Sequence, residues 1–381
     1  MTPGRKIKVL VVDDSALMRK LIPLIISSDE DIEVIGTAMD GDFALNKISK
    51  LRPDVITLDI DMPRMDGLTT LGSIVRDFGI PVILVSSLTK EGAEVTLKGL
   101  EMGAFDFVPK PREAISVHIS EISSELIDKI KAAAHCRHLK FKEPAPHKIK
   151  AQSKTVLPLK SPSVESVVAI GISTGGPQAL TEILPSIPGS FPSGILIVQH
   201  MPEGFTELFA KRLDSVCHIS VKEAADGDVV SPGMALISPG GKHLKVKKTH
   251  YGAVSVLSQS TTVSGHRPSA TVLFDSVAEE YRENAIGVIM TGMGDDGVEG
   301  LRKIKEKGGV TIAQDEETSV IYGMPKVAVE RGYVDMVLGL EEIVPNLIRL
   351  TGSNGLNRGF EDEIKFQSTD RRHNGKVYDS R

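Results

Sequence analysis

The sequence predicts an α/β protein built from two doubly wound domains, and three observations carry that prediction. Short all-apolar runs alternate with helical patterns over the first 134 residues. A second set of apolar runs, several closing in glycine turns, fills residues 166–351. Between the two sets lies a stretch rich in Pro, Lys and Ser with no sustained apolar period. All-apolar strands separated by helices belong to parallel sheets covered on both faces, because both faces of each strand must then be buried.

The first domain is assigned to residues 6–134. "IKVLVV" is a buried strand, followed by a helix over residues 15–28. The unit repeats with "EVIGTA" and a helix near residues 43–51, "VITLDI" and a helix from Gly67, and "PVILVSS" and a helix over residues 92–102. "DFVPK" is a short fifth strand, and "ISSELIDKIKAAA" is the last helix. Five such units suit a compact doubly wound domain. Residues 135–165 read as a solvated tether, semi-stiff where prolines cluster. The second domain, residues 166–351, offers the strands "VVAIGIS", "GILIVQH", "HISVKEA", "GMALISP", "VSVLSQ", "AIGVIMT", "GGVTIAQ" and "VDMVLG". The segments between Val221 and Gln259 lack intervening helices and are expected to pair antiparallel. Residues 352–381 are polar and charged, which predicts a disordered tail.

Composition narrows the function classes. Of 381 residues, 41% are hydrophobic and 25% charged, the profile of a globular protein. The net charge of -5 supplies no overall basic field to recommend a nucleic-acid partner. Cys136 and Cys217 form neither a zinc spacing nor a disulfide framework, which points to a reducing cytoplasm. Cys217, in "SVCHISV", reads as a core thiol. The N-terminal apolar run ends in two aspartates and reads as a strand rather than a signal peptide. No stretch approaches the roughly 20 apolar residues of a membrane span.

Three carboxylates meet at one sheet edge. Asp13 and Asp14 close the first strand and Asp59 the third. Strand C-termini share an edge in a doubly wound sheet, so these groups converge. Helix capping would explain Asp14 alone; a hard cation such as Mg²⁺ explains all three. Ser86 and Lys110 end two further strands and bring a hydroxyl and an ammonium to the same pocket. The ordered set "VVDDS", "LDIDMPRMDG", "VSS" and "VPKP" resembles the receiver domain of two-component response regulators. That resemblance implies that Asp59 accepts a phosphoryl group. It implies that Asp14 and Asp59 hold Mg²⁺ directly, Asp13 through water, and Asp61 through its backbone carbonyl. Ser86 and Lys110 would then bind the phosphoryl oxygens.

A second constellation follows in "VVAIGISTGGPQAL". Gly171-Ile172-Ser173-Thr174-Gly175 fits the nucleophile-elbow pattern G-x-S-x-G. It lacks the second glycine of G-x-G-x-x-G and the lysine of a P-loop, which argues against a dinucleotide or phosphate cradle. His200 closes the next strand, and Asp295 and Asp296 sit in a glycine-rich turn at another strand end. A serine needs a base, and the base needs a carboxylate to set its tautomer. Spacing alone does not choose between the two aspartates. The order Ser, His, Asp also differs from that of α/β-hydrolases, chymotrypsin and subtilisin.

The motifs "GISTGGP", "QHMPEGF", "SPGGKH", "GHRPSATVLF", "TGMGDDG" and "AQDEETSVIYGMP" together resemble the chemotaxis-receptor methylesterase (CheB) family, which carries an N-terminal receiver. The resemblance implies a flavodoxin-like (βα)5 receiver and a Rossmann-like, mostly parallel-sheet methylesterase domain. It implies a nucleophile at Ser173, a general base and acid at His200, an orienting carboxylate at Asp296 and an oxyanion donor at the Met293 backbone N–H. His266 and Arg267 are left as either substrate-facing or structural. The implied substrates are glutamate γ-methyl esters, and specific glutamines for deamidation, on chemoreceptors. The implied phosphodonor is a chemotaxis histidine kinase. Mg²⁺ is expected for phosphorylation and no cofactor for hydrolysis. A cytoplasmic monomer is expected, reaching the membrane only through receptors and binding no nucleic acid. The rival reading is a response regulator with a non-enzymatic output, which would need a basic recognition helix that the C-terminal half does not offer.

Overall fold

The computed structural model describes residues 5–62, 66–110, 118–135 and 166–352. The tether and the tail expected from the sequence lie outside these residues, His135 and Gly352 aside. The N-terminal domain runs β1 (Ile7–Val12), α1 (Met18–Ile26), β2 (Ile32–Ala38), α2 (Gly41–Leu51), β3 (Val55–Asp59), α3 (Gly67–Phe78), β4 (Val82–Ser86), α4 (Lys90–Glu101), β5 (Asp106–Pro109) and α5 (His118–His135). Its five strands form one parallel sheet in the order β2-β1-β3-β4-β5. Every residue of β3 and β4 is buried, as a central strand between two helical layers requires. Three helices are N-capped by side chains that the chain supplies at the turn. Asp40 accepts from the Phe43 N–H, Asp66 from Thr69 and Thr89 from Gly92.

The C-terminal domain runs β6 (Val167–Ile172), α6 (Gly176–Ile183), β7 (Gly194–Gln199), α7 (Phe205–Val216), β8 (Ser220–Glu223), β9 (Met234–Ile237), β10 (His243–Thr249), β11 (Gly252–Ser258), α8 (Ala270–Tyr281), β12 (Ala285–Ile289), α9 (Val298–Glu306), β13 (Val310–Gln314), α10 (Met324–Glu330), β14 (Met336–Leu338) and α11 (Leu340–Thr351). Seven strands make a parallel sheet in the order β14-β13-β12-β6-β7-β9-β8. The chain leaves β6 toward β7 on one side and returns to β12 on the other. That reversal opens a crevice at the C-terminal end of β6, where ligands of open α/β sheets bind.

The antiparallel expectation for residues 221–259 holds only for β10 and β11, which form a separate two-stranded sheet. β8 and β9 run parallel to each other and to β7. A parallel return needs a crossover, and here a loop over residues 224–233 serves instead of a helix. The loop is pinned to the hairpin by Gly227 N–H to Ser255, Val230 N–H to Ala253 and Ser255 N–H to Asp228 carbonyl bonds. β10 itself was not among the expected strands; Leu244 and Val246 face the core while Lys247 faces water.

Candidate functional site

Ser173, His200 and Asp296 come together at the crevice. β6 and β7 pair in register to Ile172 opposite Gln199, so the next residue on each strand, Ser173 and His200, emerges at one level. The pairing continues one step further, with the His200 N–H on the Ile172 carbonyl and the Ser173 N–H on the Thr291 carbonyl beyond β12. Gly175 takes φ 79°, a left-handed turn that lets α6 start immediately after the serine. Gly292 makes the close approach on the other side. A Cβ there would lie 2.7 Å from the Ser173 Cβ and 2.5 Å from the Met324 sulfur.

The side chains form a hydrogen-bonded chain. His200 Nδ1 lies 3.1 Å from Ser173 Oγ, and His200 Nε2 lies 2.8 Å from Asp296 Oδ2. The Asp296 carboxylate also accepts from Ser269 Oγ at 2.6 Å, the Ala270 N–H at 2.6 Å and the Thr271 N–H at 3.2 Å. It therefore sits on the N-terminus of α8, whose exposed N–H groups and dipole favour an anion. Burial pushes this carboxyl upward. The His200 contact, then Ser269 and Ala270, outweigh burial and hold it well below the usual carboxylate range. An ionised Asp296 can only accept, so His200 Nε2 carries the proton and Nδ1 presents a lone pair to Ser173.

Among the described residues, the Met293 N–H has no protein acceptor, and it follows the glycine packed on Ser173. Asp295 takes no part in the chain; it is exposed and faces Arg331 at 3.8 Å. Of the two aspartates that spacing left open, Asp296 is the one hydrogen-bonded to His200. Three contributors were not read from sequence. Gln199 Nε2 ties the Ser173 and His200 carbonyls together, Thr291 Oγ1 holds the Thr174 carbonyl, and Ser269 holds Asp296. His266 stacks on His200, with ring centroids 3.9 Å apart. Gln199 and Thr291 carried a signal, since each is a polar residue at the end of an all-apolar strand run. Arg267 turns away to the Gln259 and Ser260 carbonyls.

At the N-terminal pocket three carboxylates and Lys110 come together, without the Ser86 hydroxyl that was expected beside them. Ligand atoms of Asp13, Asp14 and Asp59 lie within 4.8 Å of one another. Lys110 Nζ lies 2.6 Å from Asp59 Oδ2 and 3.8 Å from Asp13 Oδ2. Asp13 and Asp59 are fully buried, and Asp13 Oδ2 accepts no hydrogen bond. Burial and the neighbouring Asp59 push the Asp13 carboxyl up to about 6, against the pull of Lys110. One ammonium among three carboxylates leaves negative charge and an oxygen to spare, which fits a hard cation. The Asp61 N–H donates to Asp59, and its side chain accepts from Ser87. The Ser86 hydroxyl points away from the pocket, accepting from Thr96 Oγ1 at 2.6 Å and donating to the Gly92 carbonyl at 3.2 Å.

Residues 168–347 match the CheB methylesterase family, and residues 9–119 match the response regulator receiver domain. Over 351 residues the chain is 49% identical to "Protein-glutamate methylesterase/protein-glutamine glutaminase 2" of Koribacter versatilis, covering 90% of this chain and 95% of that one. The chain belongs to the CheB methylesterase family. A second CheB relative, from Pyrococcus horikoshii, is 47% identical over 93% of this chain and 97% of its own. The crystal structure of the Thermotoga maritima CheB methylesterase catalytic domain is 46% identical, spans 49% of this chain and 98% of that one, and gives a TM-score of 0.48.

In this CheB methylesterase the receiver leans on the catalytic domain beside the triad. α4 packs on α6 and α7. Phe107 of β5 stacks on Phe205 at the start of α7, with centroids 4.8 Å apart and planes 7° apart. Glu101 pairs with Arg212, and Gln178 Nε2 donates to the Ala104 carbonyl at 2.9 Å. Val320 and Ile321 of the catalytic domain join a receiver core cluster that includes Phe105 and Ile130. No helix of the described residues is long and apolar enough to cross a membrane.

Proposed function

We propose that Ser173, His200 and Asp296 hydrolyse glutamate γ-methyl esters on chemotaxis receptors, under control of phosphorylation at Asp59. The chain is a protein-glutamate methylesterase/protein-glutamine glutaminase with an N-terminal receiver domain. The unbroken chain from Ser173 Oγ through both His200 nitrogens to Asp296 carries the mechanistic reading. His200 Nδ1 takes the serine proton as Oγ bonds to the ester carbonyl carbon. The tetrahedral oxyanion faces the Met293 N–H and the N-terminus of α6. Its collapse breaks the bond to methoxide, which leaves as methanol with the proton from His200. Water then attacks the acyl-serine by the same proton path and releases the glutamate carboxylate. With a glutamine side chain, the leaving group is ammonia. Methanol release from methylated receptor fragments, followed in a cytoplasmic extract and with purified protein, tests both the activity and its location.

At the receiver, Asp59 is the acceptor and a chemotaxis histidine kinase the donor. Asp13, Asp14, Asp59 and the Asp61 carbonyl would hold Mg²⁺, which when bound supplies charge neutralisation for phosphoryl transfer. Thermal melts check this. Mg²⁺ at a hundredfold excess over Kd adds about 2.7 kcal/mol to the folded state. The shift is expected to be larger near pH 8 than near pH 5, where a proton on Asp13 competes with the cation. Asp14→Asn should remove most of the shift; a variant that keeps all of it would place the ion elsewhere.

The domain contact supports autoinhibition as the control. Phosphorylation would draw Ser86 toward Asp59 and away from Thr96, loosening the helix that packs on α7. Stacked aromatic pairs contribute about 0.5–1.5 kcal/mol beyond burial, so losing one opens the closed state by about two- to twelvefold. Phe107→Ala and the charge reversal Glu101→Arg, which faces Arg212, should each raise unphosphorylated methylesterase activity by about that factor. Asp59→Asn should keep basal activity and lose stimulation by a small phosphodonor. Unchanged basal rates in both interface variants would exclude inhibition through this contact.

A further inference from the structure

We infer that His266 is a positioning residue for catalysis, holding the plane of His200 from above and stabilising the imidazolium that forms there. The inference rests on the triad reading. Its starting point is a gap in that triad's geometry. The two hydrogen bonds of His200 leave from opposite sides of the ring, to Ser173 and to Asp296. They fix the ring within its plane, while tilting about the line that joins them is opposed by the link to Cβ and by a surface packed on the ring face. His266 supplies that surface, with the two planes 10° apart and their centroids at 3.9 Å.

The His266 ring is itself held. Val263 and His266 exchange backbone hydrogen bonds of 3.1 and 2.9 Å around a turn in which Ser264 (φ 51°) and Gly265 (φ 76°) are both left-handed. Such a turn has little freedom. His266 Nδ1 donates to the Ser264 carbonyl at 2.6 Å, which sets the ring's rotation and tautomer. On the far side, Arg267 is anchored through its guanidinium to Gln259 and Ser260, and its carbonyl accepts from the Gly241 N–H. Two residues later the same segment supplies Ser269, Ala270 and Thr271 to Asp296. One stretch, His266–Thr271, therefore orients both the base and its carboxylate. Burial and then the proximity of His200 hold His266 below the ordinary histidine range, so it stays neutral. A neutral π-face stacked on a ring that becomes cationic favours the charged, transition-state form of His200 over its resting form.

His200, His266 and Asp296 bring ligand atoms within 4.8 Å of one another, but they do not form a ready metal site. Rings that lie nearly parallel 3.9 Å apart direct their in-plane lone pairs past one another rather than to one ion.

The test is steady-state methanol release by the full chain, phosphorylated with a small phosphodonor, on a methylated receptor fragment. His266→Ala is expected to lower kcat about tenfold while KM stays within about twofold. His266→Phe, which keeps an aromatic face, should recover most of the loss, and His266→Leu, which fills the space without one, should not. A fall in KM-limited rates alone would make His266 a substrate contact and overturn the inference, as would equal rates for the Phe and Leu variants. Should the alanine variant fail to fold, the Phe–Leu comparison decides the matter by itself. A full-rate His266→Ala beside an inactive Ser173→Ala would refute this inference alone; an active Ser173→Ala would remove the triad beneath it.

Discussion

Ser173→Ala is expected to lower kcat for methanol release by about 10⁴- to 10⁶-fold, with KM little changed. The substitution removes the atom that forms the acyl bond. It leaves His200, the Met293 N–H and the α6 N-terminus in place, so substrate binding survives. Folding should survive too, because the hydroxyl's hydrogen bond is to His200 and the neighbouring backbone bonds use main-chain atoms. The alanine methyl replaces a partly buried serine side chain. Glutamine deamidation should fall in parallel, because both reactions pass through the same acyl-serine. A variant retaining even a tenth of the wild-type rate would rule out serine acylation, and a loss of one activity without the other would separate their sites.

The second large effect is expected from Asp296→Asn, about 10³- to 10⁴-fold in kcat. Its cause is the tautomer. With the carboxylate present, the proton sits on His200 Nε2 and the lone pair on Nδ1 faces Ser173. An asparagine that turns its amide NH₂ toward His200 asks Nε2 to accept, which moves the proton to Nδ1. The base then meets the serine hydroxyl with a hydrogen. Either orientation also sets the NH₂ against an α8 N–H, that of Ala270 on the His200 side or that of Thr271 on the other, so a helix-terminus bond is lost as well. The orientation differs from the chymotrypsin arrangement, in which Nδ1 faces the aspartate and Nε2 the serine. The logic of the tautomer is the same with the nitrogens exchanged.

This variant also carries a stability signature. The folded Asp296 carboxyl titrates below its unfolded value, so its contribution is complete above about pH 4 and is lost as pH falls further. An anion at a partly buried helix N-terminus contributes up to about 2 kcal/mol. Thermal melts should therefore find wild type the more stable near neutrality, and the gap should narrow in acid. A constant gap across the acid range would mean that the carboxylate's charge is not what α8 uses.

How much of this was open to the sequence depends on the kind of information needed. Strand runs such as "VITLDI" and "VVAIGIS" are mostly apolar, so burial and strand type followed from composition. Residues that end such runs must emerge at the sheet edge, and for that reason the sequence points to Asp13, Asp59, Lys110, Ser173 and His200. Spacing narrowed the orienting carboxylate to Asp295 or Asp296, and the family resemblance pointed to Asp296; in the fold the N-terminus of α8 points at Asp296 while Asp295 turns outward to Arg331. The β8–β9 pairing failed because a loop, not a helix, makes the crossover, and that loop is held by a hairpin remote in sequence.

The sequence by itself determined which residues reach the two crevices, because one-dimensional hydrophobic pattern specifies where a buried strand stops. The tertiary structure alone decided how those residues face one another: that His200 presents Nδ1 to the serine, that Ser86 rests on Thr96, and that His266 lies flat on the base. Each of these depends on a rotamer set by partners from distant elements, and no local pattern along the chain encodes such a choice.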